Sequence, residues 1–92
     1  MAVIWDDDRE VHLARHQVTI AQAEEALADP DALVIEPDYA SLLGLSTRTI
    51  GFSPSFGDLI SVITYAENGL VYGATAFRAK GKDRRYYEEG SR

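Results

Sequence analysis

The sequence predicts an α+β fold, on three observations. Two helical segments lie near the N-terminus, a series of short apolar and β-branched runs follows, and a charged helical segment closes the chain. The helical period ends near Asp29-Pro30. From Ala32 onward, the apolar runs are divided by Gly, Pro, Asn and Asp. The expected order is β-α-α-β-β-β-β-α, with N-terminal helices packed on a mainly antiparallel sheet and a C-terminal helix. All 92 residues are expected to form one small domain.

Residues 2–5 alternate weakly and suit a short strand ending at Trp5, which reads as a core residue. Asp6, Asp7 or Asp8 can cap a first helix running to about His16. Thr19-Ile20-Ala21-Gln22 matches a capping box, and Ile20, Ala23 and Leu27 share a face of a second helix over 19–28. Ala32-Leu33-Val34-Ile35 is a strand ended by Glu36-Pro37-Asp38. Residues 38–46 form a loop expected to carry Tyr39 and Leu42 inward. Arg48–Ser53 is the next strand, turning through Pro54-Ser55-Phe56-Gly57-Asp58. Leu59–Tyr65 carries the strongest strand signal, being almost continuously apolar or β-branched. Glu67-Asn68-Gly69 is a hairpin turn into a strand from Leu70 to about Phe77, because Asn-Gly tolerates positive φ. Lys80–Glu89 is the final helix, with Tyr86 or Tyr87 packing back.

Charge is unevenly distributed. Residues 1–74 hold Arg9, Arg15 and Arg48 against twelve carboxylates. The last eighteen residues hold Arg78, Lys80, Lys82, Arg84, Arg85 and Arg92 against Asp83, Glu88 and Glu89. A basic edge on an acidic body attracts a polyanion or an acidic partner locally. The net charge of −6 argues against nucleic acid covering most of the surface, but a local basic groove suffices to hold phosphates. The chain has no cysteine, hence no disulfide or thiol chemistry, which suits a reducing cytoplasm. Two histidines four residues apart lack the further ligands of a structural zinc site, and no cofactor is expected. No apolar run is long enough to span a bilayer, and the start lacks the pattern of a secretory signal. A soluble, cytoplasmic domain without membrane contact is the expectation.

Several side chains can carry chemistry. Arg78 and Lys80 point together if their strand extends that far, and Lys82 and Arg85 can share one side of the last helix. Such a group can position an RNA phosphate and stabilise charge on it; equally, it is a solvated helix. Arg48 either reaches across strands toward Arg78 or pairs with Glu36 or Asp38 at a rim. Glu67 is either a base or an ordinary turn residue. His12 and His16, at i and i+4, can exchange protons near neutral pH, although a position at a helix end explains His16 as well. Tyr86 and Tyr87 either stack on bases or anchor the helix.

The chain also resembles a known family. Trp5-Asp6 is followed by Ala14-Arg15-His16-Gln17-Val18-Thr19, which looks like a Lys/Arg-His-Gly-Val segment. Glu24–Pro30, Arg48 with Ile50-Gly51, Leu59–Glu67, and Thr75-Ala76-Phe77-Arg78-Ala79 with Asp83-Arg84 and Tyr87 then follow in order. Together these resemble the BrnT family of type II toxin–antitoxin ribonucleases, related in fold to RelE-type toxins, over nearly the whole chain. Three positions depart from the pattern. Gln17 replaces the glycine after histidine, Phe52 follows Ile-Gly where a basic residue is usual, and Phe77 stands at the arginine of Ser-Ala-Arg, with Arg78 next to it. Adjacent strand residues point to opposite faces, so Arg78 substitutes only through a bulge or register change.

The resemblance implies metal-independent cleavage of RNA, with mRNA as the expected target, in which the 2′-hydroxyl attacks the adjacent phosphate. Arg48 and Arg78 would hold that phosphate, with Glu67, His16 or Tyr87 assisting proton transfer. Lys80, Lys82, Arg84 and Arg85 would guide the RNA. It also implies a BrnA-like antitoxin that covers the site and supplies any DNA binding. Two other readings compete: a catalytically weakened member that binds an antitoxin or acts as a regulatory scaffold, motivated by Phe52 and Phe77, and a small protein-interaction domain.

Overall fold

A computed structural model describes residues 2–90; Arg92, counted among the basic residues of the C-terminal stretch, lies outside the described residues with Met1 and Ser91. The elements are β1 (Val3–Ile4), α1 (Arg9–Ala14), α2 (Ile20–Ala28), β2 (Leu33–Ile35), β3 (Ser46–Ser53), β4 (Asp58–Glu67), β5 (Leu70–Arg78) and α3 (Lys82–Gly90). Their order is the one expected, and the fold is α+β. The five strands form one sheet in the order β1-β5-β4-β3-β2. β2 through β5 pair antiparallel, whereas β1 adds to β5 in parallel, Val3 opposite Val71 and Ile4 opposite Tyr72.

Alternation along β3, β4 and β5 divides the side chains between two layers. Ile60, Val62 and Ala76 face α1 and α2, where Leu13, Val18, Ala23 and Ala26 complete a buried cluster with Trp5 against it. Ile50, Leu59 and Ala79 form a second cluster, on which Leu33, Ile35 and Tyr87 pack. The sheet is therefore covered on both faces, by the helix pair on one and by α3 over part of the other. Only one covered face was expected.

Local chemistry accounts for the elements. Thr19 accepts from Gln22 N–H while Gln22 Oε1 accepts from Thr19 N–H, so the capping box starts α2. Gly51 lets α2 approach the sheet: a Cβ there would lie 1.9 Å from the Ala26 carbonyl oxygen. Glu25 ties α2 to the β3–β4 turn by accepting from the Ser53 and Ser55 hydroxyls and the Ser55 N–H. Asn68 and Gly69 both adopt positive φ, as a tight hairpin turn between β4 and β5 requires. The β4–β5 register passes from Ile63–Thr75 to Thr64–Gly73 and leaves Ala74 without an opposite residue; Arg9 donates to its carbonyl at 2.8 Å.

Several local expectations are corrected. α1 ends at Ala14 rather than near His16, because Gln17 turns the chain at φ 62 while Gln17 and Val18 N–H groups bond back to the Ala14 and Leu13 carbonyls. No aspartate side chain caps α1; the Asp8 carboxylate is taken by Arg9. Leu42 is fully exposed rather than turned inward. β5 stops at Arg78, so Lys80 does not share a strand face with it. α3 begins at Lys82, not Lys80.

Candidate functional site

The side chains singled out in the sequence do not meet at one place. Arg48 pairs across the sheet with Ile63, and Arg78 pairs with Ile60. Ile60 and Ile63 are three apart on an uninterrupted stretch of β4, so Arg48 and Arg78 point to opposite faces.

Arg48 lies on the α3 face and is 6% exposed. Its Nε donates to Asp38 Oδ1 at 2.8 Å and its Nη1 to Asp83 Oδ2 at 2.5 Å. Ser61 Oγ donates to the same Asp83 oxygen at 2.7 Å, and the Tyr39 hydroxyl donates to Asp83 Oδ1. The guanidinium carbon sits 4.3 Å from the Tyr39 ring centre and 5.6 Å from that of Phe77, within cation–π range. Burial opposes ionisation of Asp83, but hydrogen bonds from Tyr39, Ser61 and Arg48 outweigh it and hold the carboxyl below its ordinary value. Burial likewise works against the Arg48 charge, and the bonds it donates to Asp38 and Asp83 overcome it. Burial and the bond to Asp83 push the Tyr39 hydroxyl up to about 12. The result is a buried cation with two carboxylate partners, a strut joining β3, the 38–46 loop and α3. Of the two alternatives for Arg48, pairing with Asp38 is the one present, at a buried position rather than a rim. Glu36 instead accepts from Thr47 at 3.5 Å.

Arg78 is half-exposed and pairs with Asp58, which also accepts from Arg84 at 2.9 Å. The Arg78 guanidinium carbon lies 4.6 Å from the Phe56 ring centre. The Leu59 N–H leads the effects that hold Asp58 below its ordinary value; burial opposes, and the two arginines add to the lowering. Lys80 and Arg85 are exposed near the same end of the sheet. Lys82 Nζ lies 3.8 Å from the Tyr39 ring centre, so it leans toward the Arg48 network. A local cationic surface therefore exists around the start of α3, with Arg78 and Arg84 held by one carboxylate and Arg78 separated from Arg48 by the sheet.

The proton-transfer candidates are scattered. Glu67 is exposed at the β4–β5 turn, at the end of β4 remote from Asp58. The His16 ring packs edge-on against Phe77 at 6.0 Å and against His12 at 5.8 Å, and His12 Nε2 lies 3.1 Å from Thr75 Oγ1. Tyr87 donates to Asp29 at 2.7 Å; that bond, then burial, raises its hydroxyl to about 12, which makes it a poor base. Tyr86 stands edge-on to Tyr39 at 6.3 Å. Phe77 touches both His16 and Arg48, so an aromatic ring occupies the position between them.

Sequence reasoning missed Asp83 as the partner of Arg48 and Asp58 as the anchor of Arg78 and Arg84. One signal for Asp83 was present: it lies four residues before Tyr87, so a Tyr87 that packs back turns Asp83 to the sheet as well. Nothing comparable marked Asp58, whose role depends on the β4–β5 register. Among the described residues no three His, Asp or Glu side chains gather as a metal site, and no helix is long and apolar enough to cross a membrane.

The remaining feature is apolar. Leu42, Leu43 and Leu45 border a cavity of about 650 Å³ whose floor includes Ile63 and Tyr65, beyond the part of the sheet covered by α3. No protein-family model matches the chain, and no curated protein matches its sequence.

Proposed function

We propose that the chain is a BrnT-like member of a type II toxin–antitoxin pair that works by holding its partner rather than by cutting RNA. The observation carrying this reading is the buried Arg48, whose charge is committed to Asp38 and Asp83 on the face opposite Arg78. A phosphate held by both arginines would require breaking that pairing, and exposing either carboxylate alone in the interior is costly. Phe77 over Arg48 adds an apolar ring where a cationic site needs open access. The partner in this reading is a BrnA-like antitoxin, through which the complex would reach DNA. No cofactor is required.

A second reading keeps RNA cleavage by 2′-hydroxyl attack. It draws on Arg78 and Arg84, poised on one carboxylate beside the exposed Lys80 and Arg85. Such a surface can hold RNA phosphates, yet Glu67 lies at the other end of β4, the Tyr87 hydroxyl is committed to Asp29, and the His16 ring packs on Phe77.

The test is incubation of the purified chain, free of antitoxin, with long single-stranded RNA in EDTA. Intact RNA with the protein folded is the expected result. Discrete cleavage, lost in an Arg78→Ala/Arg84→Ala variant that still folds, would replace the partner-holding reading with the nuclease.

A further inference from the structure

Leu42, Leu43 and Leu45 are 100%, 81% and 69% exposed, within four consecutive residues. Together with Ile63 and Tyr65 they make an apolar groove at the open end of the α3 face. Contiguous exposed apolar surface of this kind is a mark of an interaction site, whereas scattered single residues are not. The ionisable groups lining the groove are both carboxylates apart from the Tyr65 phenol, and no Lys or Arg lines it. Asp38 is matched by Arg48, but Glu67 has no ion-pair partner among the described residues. The surrounding chain, residues 1–74, carries twelve carboxylates against three arginines, one of them buried.

We infer that this groove receives an amphipathic segment of a partner protein, with apolar side chains on the leucines and Lys or Arg residues facing Glu67. The inference rests on the partner-holding reading and names the surface and chemistry it would use. Apolar anchors would supply affinity, and the acidic rim would select the sign of the partner's charge. A second copy of this chain fits poorly: its one basic stretch, Lys80–Arg85, holds no apolar residue to meet three leucines. A membrane surface fits poorly as well, because anionic lipid headgroups repel an acidic rim.

The probe is a short helical peptide with leucines on one face and lysines on the other, compared with its leucine–glutamate counterpart, by calorimetric titration of the whole chain. The lysine peptide is expected to bind about tenfold more tightly than the glutamate peptide, and less so as salt rises. Leu43→Ser and Glu67→Lys should each weaken it several-fold while leaving the thermal midpoint near wild type, since both positions are exposed. Absence of lysine-peptide binding, equal binding of the two peptides, or binding indifferent to both substitutions would overturn the inference. So would a dimer of the wild-type chain that Leu43→Ser dissolves, since the occupant would then be a second copy. These outcomes concern the groove alone; RNA cleavage in EDTA is what would remove the underlying reading.

Discussion

Arg48 Nη1 and Asp83 Oδ2 stand 2.5 Å apart, joining a central strand to the C-terminal helix across thirty-five residues of chain. With Asp38 on Nε, the pair brings three separate segments onto one guanidinium. An exposed catalytic arginine needs a free face toward substrate; this one has its charge matched from within. Arg48, expected with Arg78 to hold a phosphate, is therefore committed to the fold.

Arg48→Ala should destabilise the chain by about 3–5 kcal/mol, because it leaves Asp38 and Asp83 buried without their cation. Arg48→Met combined with Asp38→Asn and Asp83→Asn should cost markedly less, since no buried charge is stranded. Urea denaturation of both variants checks the difference. By contrast, Arg78→Ala removes an exposed pair and should change stability by only about 0–1 kcal/mol.

Acid should unfold the chain through its aspartates. Asp83, Asp29 and Asp58 are all held below their ordinary values in the folded state. Each contributes stability above its unfolded pKa, and that contribution disappears as pH falls through the folded one. The urea midpoint should thus hold steady above about pH 5 and drop below about pH 4. Tyr39 and Tyr87 act at the other end: both are raised to about 12, so their contribution is complete below pH 10 and is lost as pH rises from there through about 12. Tyr87→Phe should flatten the alkaline limb measured by the same denaturation series.

Gln17→Gly should raise stability by about 1 kcal/mol, read as an increase in thermal midpoint. Gln17 sits at φ 62, a conformation that costs an L-residue roughly 1–2 kcal/mol and glycine almost nothing. The Gln17 and Val18 backbone bonds to Ala14 and Leu13 remain available to the variant.

Gly51→Ala should destabilise by about 1–3 kcal/mol or more, since its Cβ would press on the Ala26 backbone and move α2 off the sheet. Urea denaturation checks the loss, and circular dichroism should show the helix content retained in whatever fraction stays folded.

The order of elements was legible because period and punctuation are local: the Thr19–Gln22 box, the break at Asp29-Pro30 and the Asn68-Gly69 turn each act over a few residues. What escaped depends on pairing. β1 is two residues long, and its parallel place beside β5 has no signature in Val3-Ile4. The opposed faces of Arg48 and Arg78 follow from a register fixed only when three strands align. Leu42 was expected inside because leucine usually is. Its full exposure breaks that rule and turns attention to the groove.

The most direct measurement follows the Arg48 and Arg78 side-chain Nε–H signals by NMR during titration with a 2′-O-methyl RNA that cannot be cleaved by 2′-hydroxyl attack. The account predicts that Arg48 Nε–H stays unmoved and slow to exchange, held by Asp38, whether or not Arg78 and Arg84 respond. Movement of Arg48 and Arg78 together, with the same midpoint, would contradict it, since both would then meet one bound RNA and the sheet would not separate them.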